Sequence, residues 1–211
     1  MLDYERPILS DLAAFTRGHP SVIQALVGPR QVGKTTLARQ LQASLEMPSV
    51  YASADSPIPP GPEWIETQWR LAEIKSAAER GPVLLVLDEI QKVRGWSETV
   101  KRLWDSRTAN RSRLRLLILG SSSLLLQAGL SESMSGRFFL HRCPHWSFPE
   151  SRAAFRRSLD EWIYYGCYPG AAQFAGNDER WRQYVADSLI ETVLARDVLQ
   201  LQRVAKPARL R

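Results

Sequence analysis

Residues Val22 to Leu37 constrain this chain more than any other stretch. Val22-Ile23-Gln24-Ala25-Leu26-Val27 is an apolar run of strand length. It is followed by Gly28-Pro29-Arg30-Gln31-Val32-Gly33 and then by Lys34-Thr35-Thr36-Leu37, which opens a segment of helix formers. The spelling is G-x-x-x-x-G-K-[ST], a strand, a glycine-bounded loop and a helix start. Gly28 and Gly33 allow the backbone to turn back on itself. Successive N–H groups from about Gln31 to Thr35 can then converge where a helix N-terminus adds partial positive charge, which makes a phosphate cradle. Lys34 brings a full charge to the outer phosphates, and the Thr35 hydroxyl can join a Mg²⁺ shell. Gly28, Arg30, Gln31, Val32, Gly33, Lys34, Thr35 and Thr36 are therefore the expected nucleotide-binding residues, provided the spelling is not a chance match in an ordinary strand-turn-helix unit.

A second stretch fits the first. In Val83-Leu84-Leu85-Val86-Leu87-Asp88-Glu89 the apolar residues do not alternate, as in a strand buried on both faces of a parallel sheet, and two acids stand where it would emerge. That edge is where open α/β sheets bind ligands. Asp88 is placed to hold Mg²⁺ together with Thr35, and Glu89 to orient the water that attacks a γ-phosphate. A strand-end acid that only caps a helix is the plainer account of such a pair. Leu114 to Leu119 reads as another buried strand and ends in Gly120-Ser121-Ser122-Ser123. Ser121 or Ser122 could hydrogen-bond the attacking water or the γ-phosphate, or simply cap the next helix. Arg137, in Ser135-Gly136-Arg137-Phe138, could be presented at an edge of the core. It would then reach a phosphate bound by a neighbouring subunit, or merely pair with a surface carboxylate.

The remaining segments fill out an alternating pattern. Leu9 to Phe15 reads as a helix with Ser10 as cap, behind an arm from Tyr4 to Ile8. Lys34 to Leu45 is a helix with Leu37, Leu41 and Leu45 repeating, and Ser49 to Ser53 is a strand. Glu63 to Glu79 is helical, with Trp64, Trp69, Leu71, Ile74 and Ala78 as its stripe, and Trp96 to Arg107 is another helix. Leu124 to Gly136 is a short one, and Phe138 begins a further strand. Pro149 to Leu159 and Glu179 to Val204 read as later helices, separated by the aromatic-rich Asp160 to Gly170. Residues 1–150 are expected to form an α/β core and 151–211 a small helical, lid-like segment.

Composition excludes more than it selects. Of 211 residues, 44% are hydrophobic and 24% charged, as in an ordinary globular chain. No apolar run reaches the roughly 18 residues of a membrane span, and Met1 to Pro7 lacks a signal pattern, so a cytoplasmic location is expected. Two cysteines, Cys143 and Cys167, cannot build a framework of bridges. The net charge of +6 permits nucleotide or nucleic-acid contacts without requiring them. Arg102, Arg107, Arg111, Arg113 and Arg115 form the one local cluster, read either as a solvated helix end and loop or as a DNA or subunit face. His141, Cys143 and His145 alternate like metal ligands, but Pro144 interrupts the ladder and incidental histidines are the better reading.

Taken together, Gly28 to Leu37, Leu87-Asp88-Glu89-Ile90-Gln91, Leu119 to Ser122, Ser135 to Phe138, Gly166-Cys167-Tyr168-Pro169 and Arg196-Asp197 resemble the AAA+-like P-loop ATPases of bacteria and archaea, over nearly the whole chain. That resemblance implies a P-loop NTPase fold of the AAA+/ASCE type. Its five-stranded parallel sheet would be sandwiched by helices, with the acid-bearing strand away from the phosphate-loop strand. It also implies Mg²⁺-dependent ATP hydrolysis, with Lys34, Glu89, Ser121 as sensor and Arg137 as arginine finger in catalytic roles, and Thr35 and Asp88 at the metal. A homo-oligomer and a DNA or protein partner are open to such a protein. A nucleotide-binding switch or DNA-associated helper with little turnover is the alternative. Two departures stand out. Cys167 occupies a position where relatives tend to carry glycine. The family also typically continues into a nuclease-like domain, whereas this sequence runs to Arg211.

Overall fold

The computed structural model describes residues 4–107, 113–121, 130 and 134–191. The chain divides into two compact units. One comprises Glu5–Gly28 and Lys34–Cys143; the other joins Pro29–Gly33 to Tyr4 and to the residues from Pro144 onward.

In the first unit the elements run α1 (Ile8–Gly18), β1 (Ile23–Gly28), α2 (Lys34–Ser44), β2 (Ser49–Ser53), α3 (Pro62–Glu79), β3 (Val83–Asp88), α4 (Trp96–Ser106), β4 (Leu114–Ser121) and β5 (Phe138–Arg142). All five strands pair in parallel in the order β2-β3-β4-β1-β5, so β4 separates the acid-bearing β3 from the phosphate-loop strand β1, as expected. β1 and β3 are buried along their whole length, which accounts for their lack of alternation. Side chains on successive residues leave opposite faces of the sheet. One set, Ile23, Ala25 and Val27 with Leu85, Leu87, Leu116 and Ile118, packs against Ile65 and Trp69 of α3 and Val100 and Trp104 of α4. The other face is covered by α2, which packs on β1 and β3, with α1 against α2.

Several boundaries differ from the sequence reading. α1 continues to Gly18, and Ser10 lies inside its first turn, donating to Pro7 O rather than capping. In α3 the buried residues are Ile65, Trp69 and Ala72, while Leu71 and Ile74 are exposed. The spacing i, i+4, i+7 sets the inward face, and Leu71 and Ile74 fall on the far side of it. Most of the expected Leu124 to Gly136 helix lies outside the described residues.

In the second unit, the helix expected from Pro149 to Leu159 is two: α5 (Phe148–Phe155) and α6 (Leu159–Tyr165). Arg156, left-handed at φ 58°, ends the first, and each begins with a reciprocal capping box, Ser147 with Glu150 and Ser158 with Glu161. A 3₁₀ turn over Pro169–Phe174 leads to α7 (Asp178–Tyr184), which passes into a π-helical turn over Val185–Ile190. The helix expected from Glu179 to Val204 stays helical to Glu191, widening to π geometry over Val185–Ile190, and the rest of it, with Arg196 and Asp197, lies outside the described residues. The aromatic-rich segment is used internally. Tyr164 and Tyr165 both donate to the Asp178 carboxylate at 2.9 and 2.8 Å, and the Trp181 indole donates to Tyr165 O.

Candidate functional site

β1, β3 and β4 end at Gly28, Asp88 and Ser121, and the parallel register brings these ends to one edge of the sheet, Gly28 directly opposite Ser121. Gly28 is needed for clearance: a Cβ built there would lie 2.0 Å from the Cys143 carbonyl oxygen. That carbonyl comes so close because the Cys143 N–H donates to Val27 O at 2.7 Å. Gly33 is needed for conformation, with φ at 95°, and Gln31 also turns through the left-handed region at φ 60°.

Lys34 opens α2, and its ammonium is buried, donating to Gly28 O at 3.0 Å. Beside it in sequence, the Thr35 hydroxyl donates to Asp88 Oδ2 at 2.8 Å. The same carboxylate oxygen accepts from Tyr51 OH at 2.7 Å, and Oδ1 accepts from the Glu89 N–H at 2.9 Å. Burial, and secondarily the bond to Asp88, push the Tyr51 phenol well above its ordinary pKa, so it remains a donor. Glu89 is left-handed at φ 54°, and its carboxylate accepts from Gln91 Nε2 at 2.6 Å. The same amide nitrogen reaches Ser121 Oγ at 3.4 Å. Lys34, Thr35, Asp88, Glu89 and Ser121 thus form one connected cluster at the carboxyl edge, while Ser122 lies outside the described residues. Thr35 and Asp88 offer hydroxyl and carboxylate oxygens side by side, the hard donor set that Mg²⁺ takes.

Arg137 does not join the cluster within one chain. It precedes β5, and its carbonyl accepts from the Ile23 N–H, so it stands at the opposite, amino edge of the parallel sheet. Its guanidinium holds both oxygens of Asp105, at 2.8 and 3.0 Å. Hydrogen bonding to Arg137 keeps the Asp105 carboxyl below its usual range.

The other singled-out groups have separate surroundings. His141 packs against Phe15 and Phe139, while Cys143 Sγ accepts from Arg6 at 3.1 Å, and His145 meets the Tyr168 ring. Among the described residues no three His, Cys, Asp or Glu side chains are grouped to hold a metal. Of the arginine cluster, Arg102 pairs with Glu66, Arg107 lies over the Trp104 ring, and Arg113 donates to Arg80 O; Arg111 lies outside the described residues. Tyr51 and Gln91 do not stand out in the sequence. Gln91 follows the two acids closely enough to be noticed, but Tyr51 is connected to Asp88 only once β2 is known to flank β3.

The family described as an AAA domain matches residues 21–151, and a domain of unknown function matches residues 156–211. The chain belongs to the AAA domain family of P-loop, AAA+-like ATPases. This AAA-domain chain is 30% identical over 184 residues to uncharacterized proteins of Mycobacterium bovis and Mycobacterium tuberculosis. The match takes in 87% of the chain but only 37% of either relative's length. Among solved structures, its fold is similar to the RuvB Holliday junction branch migration motor of Thermotoga maritima, with TM-score 0.50, 16% identity, and 72% of this chain and 49% of that one covered. It is also similar to the ORC1 protein of Aeropyrum pernix in complex with DNA, with TM-score 0.51, 19% identity, and 81% and 54% covered. At such identities the likeness is one of fold. Among the described residues no helix is long and apolar enough to cross a membrane.

Proposed function

We propose that this AAA-domain chain binds ATP at the carboxyl edge of its sheet and hydrolyses it to ADP and phosphate. The observation that carries this reading is the contact of Thr35 with Asp88 at 2.8 Å, next to the buried Lys34 ammonium. It joins the two halves of a phosphate and metal site that the sequence separates. The Lys34 ammonium, which donates to Gly28 O, transfers that bond to the β- and γ-phosphate oxygens. Thr35 and Asp88 would hold Mg²⁺, which supplies charge neutralisation on the phosphates when bound. Glu89 accepts a hydrogen bond from the attacking water and aims it in line with the γ-phosphate, and Gln91 fixes the orientation of that carboxylate. Ser121 reads the γ-phosphate or the water. Arg137 reaches the site of a neighbouring subunit, releasing Asp105 to do so, and its charge stabilises the transition state there. This role requires a homo-oligomer.

The core over 1–150, the lid-like segment over 151–211 and a cytoplasmic setting belong to the same proposal. The second reading is a nucleotide switch or DNA-associated helper with little turnover. A DNA or protein partner is suggested by the fold shared with a branch-migration motor and a DNA-bound ORC1 protein. Phosphate release with and without DNA, for the wild type and Glu89→Gln, separates the two. Hydrolysis by the wild type that falls at least about a hundredfold in Glu89→Gln supports the enzyme. ATP bound tightly but never hydrolysed supports the switch.

A further inference from the structure

The phosphate loop is gripped from its own unit in a way that nothing in its motif specifies. The Trp146 indole N–H donates to Val32 O at 3.0 Å. Trp146 is itself buried, flanked by the Tyr4 ring at 5.6 Å and the Phe155 ring at 5.1 Å. One residue earlier in the loop, Gln31 is held at both ends of its amide: Nε2 donates to Ser188 O at 2.8 Å and Oε1 accepts from Tyr184 OH at 3.3 Å. Ser188 lies in the π-helical turn, and Gln31 is the loop's left-handed non-glycine residue.

Peptide geometry gives these contacts a consequence. In a trans peptide the C=O and N–H point in opposite directions. A donor that fixes the Val32 carbonyl on one side therefore fixes the Gly33 N–H on the other. A phosphate cradle needs its amides turned toward the anion and its carbonyls turned away. A flexible loop of this kind would otherwise have to select that arrangement each time it binds, at a cost in affinity.

We propose that Trp146 is a positioning residue for the phosphate loop: its indole holds the Val32 carbonyl outward and so presents the Gly33 N–H to a bound phosphate, with the Tyr184–Gln31–Ser188 contact as a second brace. Gly170 belongs to this brace, because a Cβ there would lie 2.3 Å from the Tyr184 hydroxyl. A methyl group there would displace the tyrosine hydroxyl from its place beside Gln31. The Tyr168-Pro169-Gly170 turn thereby acquires a use that its sequence does not disclose. The proposal rests on the nucleotide-binding reading above.

The test uses the full chain, with Trp146→Phe, Tyr184→Phe and Gly170→Ala compared with the wild type in MgATP binding, steady-state hydrolysis and nucleotide-free melting temperature. Phenylalanine keeps the ring packing and deletes only the donor. Trp146→Phe is expected to weaken MgATP binding about tenfold and to raise KM by a similar factor with kcat within about twofold, since loop amides hold ground and transition states alike. Tyr184→Phe and Gly170→Ala should share a smaller loss, about threefold, that is not additive between them. The nucleotide-free melting temperature should fall by a few degrees in Trp146→Phe, where the buried Val32 carbonyl loses its donor, and stay near that of the wild type in Tyr184→Phe and Gly170→Ala. Wild-type affinity and KM in both Trp146→Phe and Tyr184→Phe overturn the bracing role alone, and so does a loss confined to kcat. A wild type that binds no MgATP overturns the nucleotide reading and this inference with it.

Discussion

Asp88 is the residue on which most of the site converges, and its partners show why a strand-end carboxylate can stay buried. It accepts from Thr35 and Tyr51 at Oδ2 and from the Glu89 amide at Oδ1, so both carboxylate oxygens are hydrogen-bonded. Tyr51→Phe leaves one of these acceptors short of a donor, and denaturant unfolding should show a loss of about 1–2 kcal/mol. His141 supplies a pH dependence. Burial pushes its pKa below the ordinary value, with Asp11 opposing the shift, and no described residue bonds its Nε2. Below about pH 6.5 the unfolded chain takes up a proton that the folded chain resists. Stability is therefore full above that pH and falls as the pH drops toward the lower folded value, by at most about 1.4 kcal/mol per unit. Melting temperatures at pH 7.5 and 5.5 should fall less for His141→Phe than for the wild type. The phosphate-loop glycines, Lys34, Thr35, Asp88 and Glu89 are legible as residues because phosphate chemistry demands those types in that order. The reason for Gly28 is not. Its clearance from the Cys143 carbonyl depends on β5 lying beside β1, a long-range fact that no local pattern carries.

At the scale of elements, β3 is legible because five uninterrupted apolar residues between turn signals are too few for a buried helix and too apolar for a loop, and β1 and β4 are nearly as apolar, each broken by one polar residue, Gln24 and Arg115. Helix faces are harder to read. The stripe expected on α3 includes Leu71 and Ile74, which are exposed, and omits Ile65, which is buried. Trp69 lies on the true inward face, but Trp64, one position before Ile65, shifts the apparent stripe off the 3.6-residue phase because it is large and apolar without being fully buried. Ile65→Ala should cost about 2–5 kcal/mol in unfolding free energy, whereas Ile74→Ala should stay within about 0.5 kcal/mol of the wild type. The break between α5 and α6 is marked in the sequence by two Ser-x-x-Glu boxes, which the expectation of a single helix overlooks. Ser158→Ala should remove about 1 kcal/mol, visible as a lower denaturation midpoint, provided the C-terminal unit unfolds with the rest. The π-helical turn at Val185–Ile190 has no sequence signal beyond the continuing helical stripe.

For the whole molecule, strand order decides which edge carries the chemistry. It puts Lys34, Thr35, Asp88, Glu89 and Ser121 together and leaves Arg137 at the other edge, paired with Asp105. An arginine so placed contributes to hydrolysis only across a subunit boundary. Light scattering should therefore show a mass increase with MgATP, and Arg137→Ala should keep MgATP affinity while losing at least about a hundredfold in phosphate release. A chain that remains monomeric with MgATP yet hydrolyses it at full rate without Arg137 would remove that residue from the mechanism. The central claim, however, concerns the pocket itself. Titration calorimetry of MgATP into the wild type, Lys34→Ala and Asp88→Ala tests it most directly. Saturable one-site binding to the wild type is expected, weakened by at least about a hundredfold in each variant. Equal affinity in all three proteins, or no binding to any, would contradict it.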